Sequence, residues 1–262
     1  MTMVERAVRR VRHDMKLRLL QVRAVERVTP ACVRISLGGE DLAGYATAGY
    51  DDHSKLFFPA PGAERPVLRE AGVYPEGATP PAMRDYTPRR FDAAKGVLVF
   101  DISLHGEGPA VEWAAAARVG QYLGVGGPRG SFVVEGDFDW YLLIGDESAL
   151  PAIARRLEEL PARARVLAVI EVASAAEQQN LTAPPDTRLV WLHRDAGQNL
   201  LAALPGLEFP PGEAYAFVAC EGDVAKQIRQ YLIADRGMNK KWLKASGYWS
   251  KGEAAVHEQF DE

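Results

Sequence analysis

Trp140-Tyr141-Leu142-Leu143-Ile144-Gly145-Asp146-Glu147-Ser148-Ala149-Leu150-Pro151-Ala152-Ile153 opens on five apolar residues, turns through a glycine and three polar residues, and turns apolar again around Pro151. A short apolar run closed by a turn reads as a buried strand, and a proline in the first turn starts a helix. Such a strand-turn-helix unit presents free N–H groups to a nucleotide pyrophosphate, although this one lacks the full glycine-rich dinucleotide fingerprint. A plain α/β crossover explains the unit equally well.

Towards the C-terminus the same grammar continues. Apolar strands are predicted at Val166–Ile170, Leu189–Leu192 and Tyr215–Ala219, with helices at Leu150–Leu160 and Val224–Ala234. In the last helix Val224, Ile228, Tyr231 and Leu232 fall on one face at i, i+4, i+7 and i+8. Strands alternating with helices imply a parallel sheet. Towards the N-terminus, from Leu17 to Val134, the pattern changes to short alternating strands broken at Gly38-Gly39, Pro59-Ala60-Pro61-Gly62 and Pro80-Pro81. That pattern predicts a small closed β-barrel, with the stretch from Pro59 to Pro81 as a surface excursion. The domain boundary is expected near Glu135-Gly136-Asp137, giving a β domain over 1–137 and an α/β domain over 138–262.

The 262 residues, 47% apolar, suffice for two small domains with real cores. No apolar run approaches the ~20 residues of a membrane span, and the Arg-rich start lacks the apolar segment of an export signal, so a cytoplasmic protein is expected. Cys32 and Cys220 are too few for a disulfide framework or an iron–sulfur cluster and read as reduced thiols. The five histidines, His13, His53, His105, His193 and His257, show no metal-ligand spacing. A formal net charge of −4 argues against general nucleic-acid binding. The basic stretch Arg6, Arg9, Arg10, Arg12 and Lys16 is the exception and reads as a solvated arm or a first strand.

Within the β region, Arg84-Asp85-Tyr86-Thr87-Pro88-Arg89 has the parts of a flavin grip. A flavin needs a flat apolar surface against its ring, a hydrogen bond near its redox edge and a cation for its pyrophosphate, which Tyr86, Thr87 and Arg84 can supply in turn. Period-two spacing sends Arg84 and Tyr86 to one face and Thr87 to the other. A surface ion pair and a packed aromatic are the alternative reading. Further on, His105-Gly106-Glu107-Gly108-Pro109-Ala110-Val111-Glu112-Trp113 reads as a helix start suited to a pyrophosphate, and Gly126-Gly127-Pro128-Arg129-Gly130-Ser131-Phe132 as a turn between strands.

These segments, together with Asp51-Asp52-His53-Ser54-Lys55-Leu56-Phe57-Phe58-Pro59, the turn Gly145–Ala152 and Gly247-Tyr248-Trp249, stand in one order along the chain. In that order the chain resembles the siderophore-interacting proteins, FAD-dependent ferric-siderophore reductases related to the ferredoxin reductases. The resemblance implies FAD on a Greek-key β-barrel and a nicotinamide cofactor approaching from the α/β domain, with hydride passing at the cleft between them. It assigns Arg84, Gly108, Pro109 and Ala110 to the pyrophosphate, Tyr86 to the isoalloxazine and Thr87 to its reactive edge. Asp101, His105 and Trp113 are implied as further cofactor contacts, and Tyr248 and Trp249 as a cover for the flavin or a wall of the pocket.

Asp146, Glu147, Ser148 and Ala149 would contact phosphate or ribose, with Cys220-Glu221-Gly222 near the nicotinamide. Two acidic residues at a phosphate turn depart from the glycine-rich pattern. Ser174 and Arg194 stand where a 2′-phosphate would be read, so NADPH is preferred over NADH. Nicotinamide delivers two electrons at once and Fe(III) accepts one, which is why a flavin is needed, and no protein metal site is required. An anionic, catecholate-type ferric siderophore calls for cations, and Lys55, Arg129, Lys244 and Lys251 are the candidates. The resemblance implies no nucleic-acid or membrane partner and a monomer or weak dimer. A ferredoxin or flavodoxin reductase, or a protein that binds flavin or ferric chelate without turnover, are the competing readings.

Overall fold

The computed structural model describes residues 5–69, 72–252 and 258–259. Two compact units emerge: one runs from Val8 to Val133, and the other comprises the chain on both sides of it. The division falls at Val133/Val134 rather than 137/138, and the chain before Val8 groups with the C-terminal half. Arg6 accounts for this. Its guanidinium donates to the Asp137 carbonyl at 2.7 Å, pairs with Glu213 and Asp139, and lies 5.0 Å over the Phe138 ring.

The first unit begins with β1 (Ala7–Arg12), which forms a two-stranded ribbon with β9 (Gly130–Glu135). The basic stretch is therefore a strand. The main sheet holds β2 (Leu17–Thr29), β3 (Cys32–Gly38), β4 (Ser54–Phe58), β5 (Ala82–Tyr86), β6 (Pro88–Asp92), β7 (Val97–Ser103) and β8 (Tyr122–Gly126), with the seven-residue helix α1 (Pro109–Ala115) between β7 and β8. Its strand order is β5-β4-β8-β2-β3-β7-β6, and the neighbours run antiparallel.

The expected closed barrel is thus a curled half-barrel whose ladder stays open, because the two edge strands are β5 and β6. These edges are joined in sequence by Thr87 alone, which a trans chain advancing ~3.8 Å per residue allows only where the curl brings both edges to one corner. Closure there is covalent, and Thr87 is buried. Alternate residues fill the interior: Leu20 and Val22, Val33, Ile35 and Leu37, Leu98, Phe100 and Ile102, Leu123 and Val125. Each such buried side chain contributes roughly 2 kcal/mol of transfer free energy. The excursion after Pro59 leans on β8, where the Glu64 carbonyl accepts from the Tyr122 N–H at 2.8 Å and Arg65 lies 4.7 Å over the Tyr122 ring.

The second unit holds β10 (Trp140–Asp146), α2 (Leu150–Glu159), β11 (Arg165–Val172), β12 (Asp186–His193), α3 (Leu200–Ala203), β13 (Ala214–Glu221), α4 (Gly222–Ala234), β14 (Leu243–Trp249) and β15 (Glu258–Gln259). The order is β12-β11-β10-β13-β14-β15, parallel except for β15. Leu142, Ile144, Val169, Ala216 and Val218 pack with Ile228 and Leu232 of α4. On the other face α2 comes so close to β10 that a Cβ at Gly145 would stand 2.6 Å from the Ala149 Cβ. Helices on both faces explain why β10 is buried along its whole length and reads as a continuous apolar run.

Candidate cofactor and substrate site

In the hairpin of β4 and β5, Ser54 stands opposite Tyr86, Lys55 opposite Asp85, Leu56 opposite Arg84 and Phe58 opposite Ala82. Arg84 and Tyr86 therefore share the face of the core residues Leu56 and Phe58, while Lys55 and Asp85 take the other face. The Tyr86 ring meets Phe58 edge-on at 6.2 Å, and Phe58 meets Trp113 of α1 at 5.6 Å. Burial pushes the Tyr86 phenol up to about 12, against the opposing pull of Arg84, so the ring is neutral at physiological pH. Arg84 uses one N–H on the Met83 carbonyl at 2.7 Å, and an arginine has five donors to offer.

A flavin dinucleotide fits these residues. The Trp113 indole N–H is buried with no acceptor among the described residues, and a ligand oxygen would satisfy it. Gly106 and Gly108, with φ of 73° and 130°, lead into α1, and nothing lies within 4 Å of where their Cβ atoms would be. That open approach to the helix start, with Pro109 in its first turn and Ala110 buried behind it, suits a phosphate. His105 is exposed just before Gly106.

Asp101 is placed differently from the other expected cofactor contacts. It stands opposite Arg34 in the β3–β7 ladder and accepts from that guanidinium at 2.7 and 2.8 Å, with Arg89 3.8 Å away. Both carboxylate oxygens face arginines, so the geometry makes Asp101 a clamp between strands.

Lys55 donates to Asp85 at 2.9 Å. It also stands opposite Gly126 of β8, three residues before Arg129, which is exposed. The fold thus brings Lys55 and Arg129 to one end of the sheet and adds Asp85, which sequence reasoning missed. The long excursion between β4 and β5 hides their register. Lys244 is 7% exposed at the start of β14, opposite Phe217 and three pairs before Gly247, whereas Lys251 is exposed beyond β14.

In the second unit the strand order reverses between β10 and β13, so the carboxyl ends of these strands flank a topological switch point, the usual nucleotide crevice of such sheets. Asp146, Glu147, Ser148 and Ala149 follow β10 there, and Cys220-Glu221-Gly222 close β13. Asp146 is buried and accepts from the Ser148 N–H at 2.9 Å, from the Ser148 hydroxyl, and from the Trp249 indole at 2.8 Å. Its oxygens are engaged inside the protein, and Ala149 is wholly buried.

Arg194 donates to both oxygens of Glu147, once at 2.6 Å, and to Glu171 at 3.3 Å, and these bonds hold it charged. The expected reader of a 2′-phosphate is thus held by two carboxylates. Glu171 also accepts from the Leu200 N–H at 2.9 Å, a link that joins distant parts of the chain and leaves no local sequence signal. Burial pushes the Cys220 thiol well up, so it stays protonated.

Burial also raises the Asp146 carboxyl above its ordinary value, against the hydrogen bonds of Ser148 and Trp249. A raised folded-state value means that Asp146 favours the fold below the unfolded value of about 4, and that this contribution is lost as pH rises through the folded value. Asp146→Asn cannot titrate. Urea unfolding at stepped pH is expected to show the wild type losing stability relative to this variant as pH rises above about 4. Parallel profiles would show an ordinary Asp146.

Residues 21–132 match the siderophore-interacting FAD-binding domain and residues 138–252 the siderophore-interacting protein family. The chain belongs to the siderophore-interacting protein family. It is 39% identical to the NADPH-dependent ferric-chelate reductase of Escherichia coli (strain K12), across 92% of this chain and 95% of that one. It is 34% identical to the ferric vibriobactin reductase ViuB of Vibrio cholerae, across 92% and 93%. A solved siderophore utilization protein from T. fusca superposes with a TM-score of 0.85 at 42% identity, covering 96% of this chain and 98% of that one. The expected architecture of this family, an antiparallel FAD-binding domain followed by a parallel α/β domain, is therefore borne out, with the barrel corrected to a half-barrel. No helix among the described residues is long and apolar enough to cross a membrane.

Proposed function

We propose that this siderophore-interacting protein is an FAD-dependent ferric-siderophore reductase that draws on NADPH in the cytoplasm and acts on anionic, catecholate-type chelates. The observation that carries the reading is the single hairpin face that Arg84 shares with Tyr86, whose ring meets Phe58, itself against Trp113 of α1, inside the segment that matches the FAD-binding domain. When bound, FAD takes two electrons as hydride from a nicotinamide and releases them singly, which is what a ferric ion can accept.

The chain's residues do the rest by binding and positioning. Arg84 and the start of α1 neutralise the pyrophosphate, the neutral Tyr86 ring offers an apolar plate, and Trp113 donates to a ligand oxygen. Ser148 and the backbone at the β10–α2 turn receive the pyridine nucleotide, with Trp249 held at that turn by Asp146. The preference for NADPH rests on the relative's name, since Arg194 is already paired. Lys55 and Arg129 receive the anionic chelate. Reduction to the divalent ion weakens the hold of hard oxygen donors, and competing ligands then take the iron.

Loss of one charge-assisted contact to a pyrophosphate costs about 1.5–3 kcal/mol, or roughly 10- to 100-fold in affinity. FAD titration of Arg84→Ala, followed by flavin fluorescence, is expected to show a weakening in that range. An unchanged affinity would remove Arg84 from the site.

A further inference from the structure

The hairpin of β4 and β5 carries two different charges on its two faces. Arg84 lies on the inner face with Tyr86, and the outer face presents Lys55 beside Asp85, directly opposite in the ladder and joined at 2.9 Å. The Lys55 and Asp85 side chains are 43% and 28% exposed. An ion pair this open to solvent adds little to stability, so the fold does not require Asp85. Its charge still acts on whatever approaches. Arg129, at the same end of the sheet, makes no ion pair among the described residues, and the three side chains together carry a net charge of one where the two cations alone would carry two.

We propose that Asp85 sets the charge selectivity of the ferric-chelate site, holding back highly anionic complexes by occupying Lys55 and repelling them directly. This rests on the reading that Lys55 and Arg129 receive the chelate. A trianionic complex about 7 Å from a carboxylate in water is repelled enough to change binding roughly tenfold at low ionic strength, and a few-fold at physiological salt. A neutral complex feels almost none of this. Asp85 thereby grades chelates by charge, narrowing the advantage that the two cations give a fully ionised tris-catecholate over complexes of lower charge.

The test uses the full-length, FAD-loaded protein and gallium(III) complexes, which match the ferric ones in charge but are not reduced, with binding read from tryptophan fluorescence. Asp85→Asn is expected to tighten binding of the gallium tris-catecholate about tenfold at low salt, with the gain shrinking as salt rises, and to leave a neutral gallium trihydroxamate unchanged. FAD content is expected to hold, because Asp85 faces away from Arg84 and Tyr86. Lys55→Ala separates the two claims. If it weakens the anionic complex while Asp85→Asn does nothing, the role of Asp85 is overturned and the site stands. If Lys55→Ala leaves that affinity unchanged, the placement of the chelate at Lys55 falls, and the proposal with it. Equal tightening of the neutral and the anionic complex by Asp85→Asn would also overturn the proposal, since a charge effect cannot produce it.

Discussion

Asp101→Ala is expected to lower the stability of the unit from Val8 to Val133 by about 3 kcal/mol, the cost of removing one partner from a buried ion pair. The Asp101 side chain is 3% exposed and that of Arg89 12%. Without the carboxylate, the largely buried Arg89 guanidinium loses the Asp101 oxygen that stands 3.8 Å from it, and Arg34 loses both of its hydrogen bonds across the ladder. Unfolding in urea without FAD isolates this effect from any cofactor contact. A stable Asp101→Ala protein that had lost only its affinity for FAD would reverse the assignment and return Asp101 to the cofactor.

Gly145→Ala is expected to be nearly as damaging, at about 2–3 kcal/mol, through overpacking. The added methyl would stand 2.6 Å from the Ala149 Cβ, 2.7 Å from the Ala219 carbonyl oxygen and 3.0 Å from the Ile153 Cδ1. The carbonyl belongs to the β10–β13 ladder and cannot yield without breaking it. Relief must come from α2 moving outward, which would shift the Asp146–Ser148 turn and loosen the Trp249 hydrogen bond. Thermal unfolding measures the loss, and weakened NADPH binding should accompany it. A variant with unchanged midpoint and affinity would mean that α2 does not need this close approach.

What the sequence made legible was local. The apolar run of β10 and the period of α4 are set by neighbours within a few residues, and both elements form where their patterns predict; the alternation that marks the region from Leu17 to Val134 as antiparallel sheet is equally local. The Arg84–Thr87 motif was legible for the same reason, since period two alone puts Arg84 and Tyr86 on one face. Contacts between residues far apart in the chain were not. The Arg34–Asp101 clamp spans 67 residues and the Arg194–Glu147 pair 47, and no periodicity announces either. Arg6 belongs to a stretch that reads as a solvated arm or a first strand, and its partners Asp139 and Glu213 leave no local sign because they lie beyond an entire folded unit. Lys244 carried no sign of burial, because its neighbours across the sheet come from β13.

Electrons are expected to pass from NADPH through FAD to chelated iron, and one anaerobic spectrum tests this path from end to end. FAD-loaded protein is mixed with NADPH without oxygen, and a ferric tris-catecholate is then added with a ferrous-specific dye. The flavin bands are expected to bleach on NADPH and to return as the dye colours. A protein that takes up no FAD, or flavin bands that bleach and stay bleached while the iron remains ferric, would contradict it.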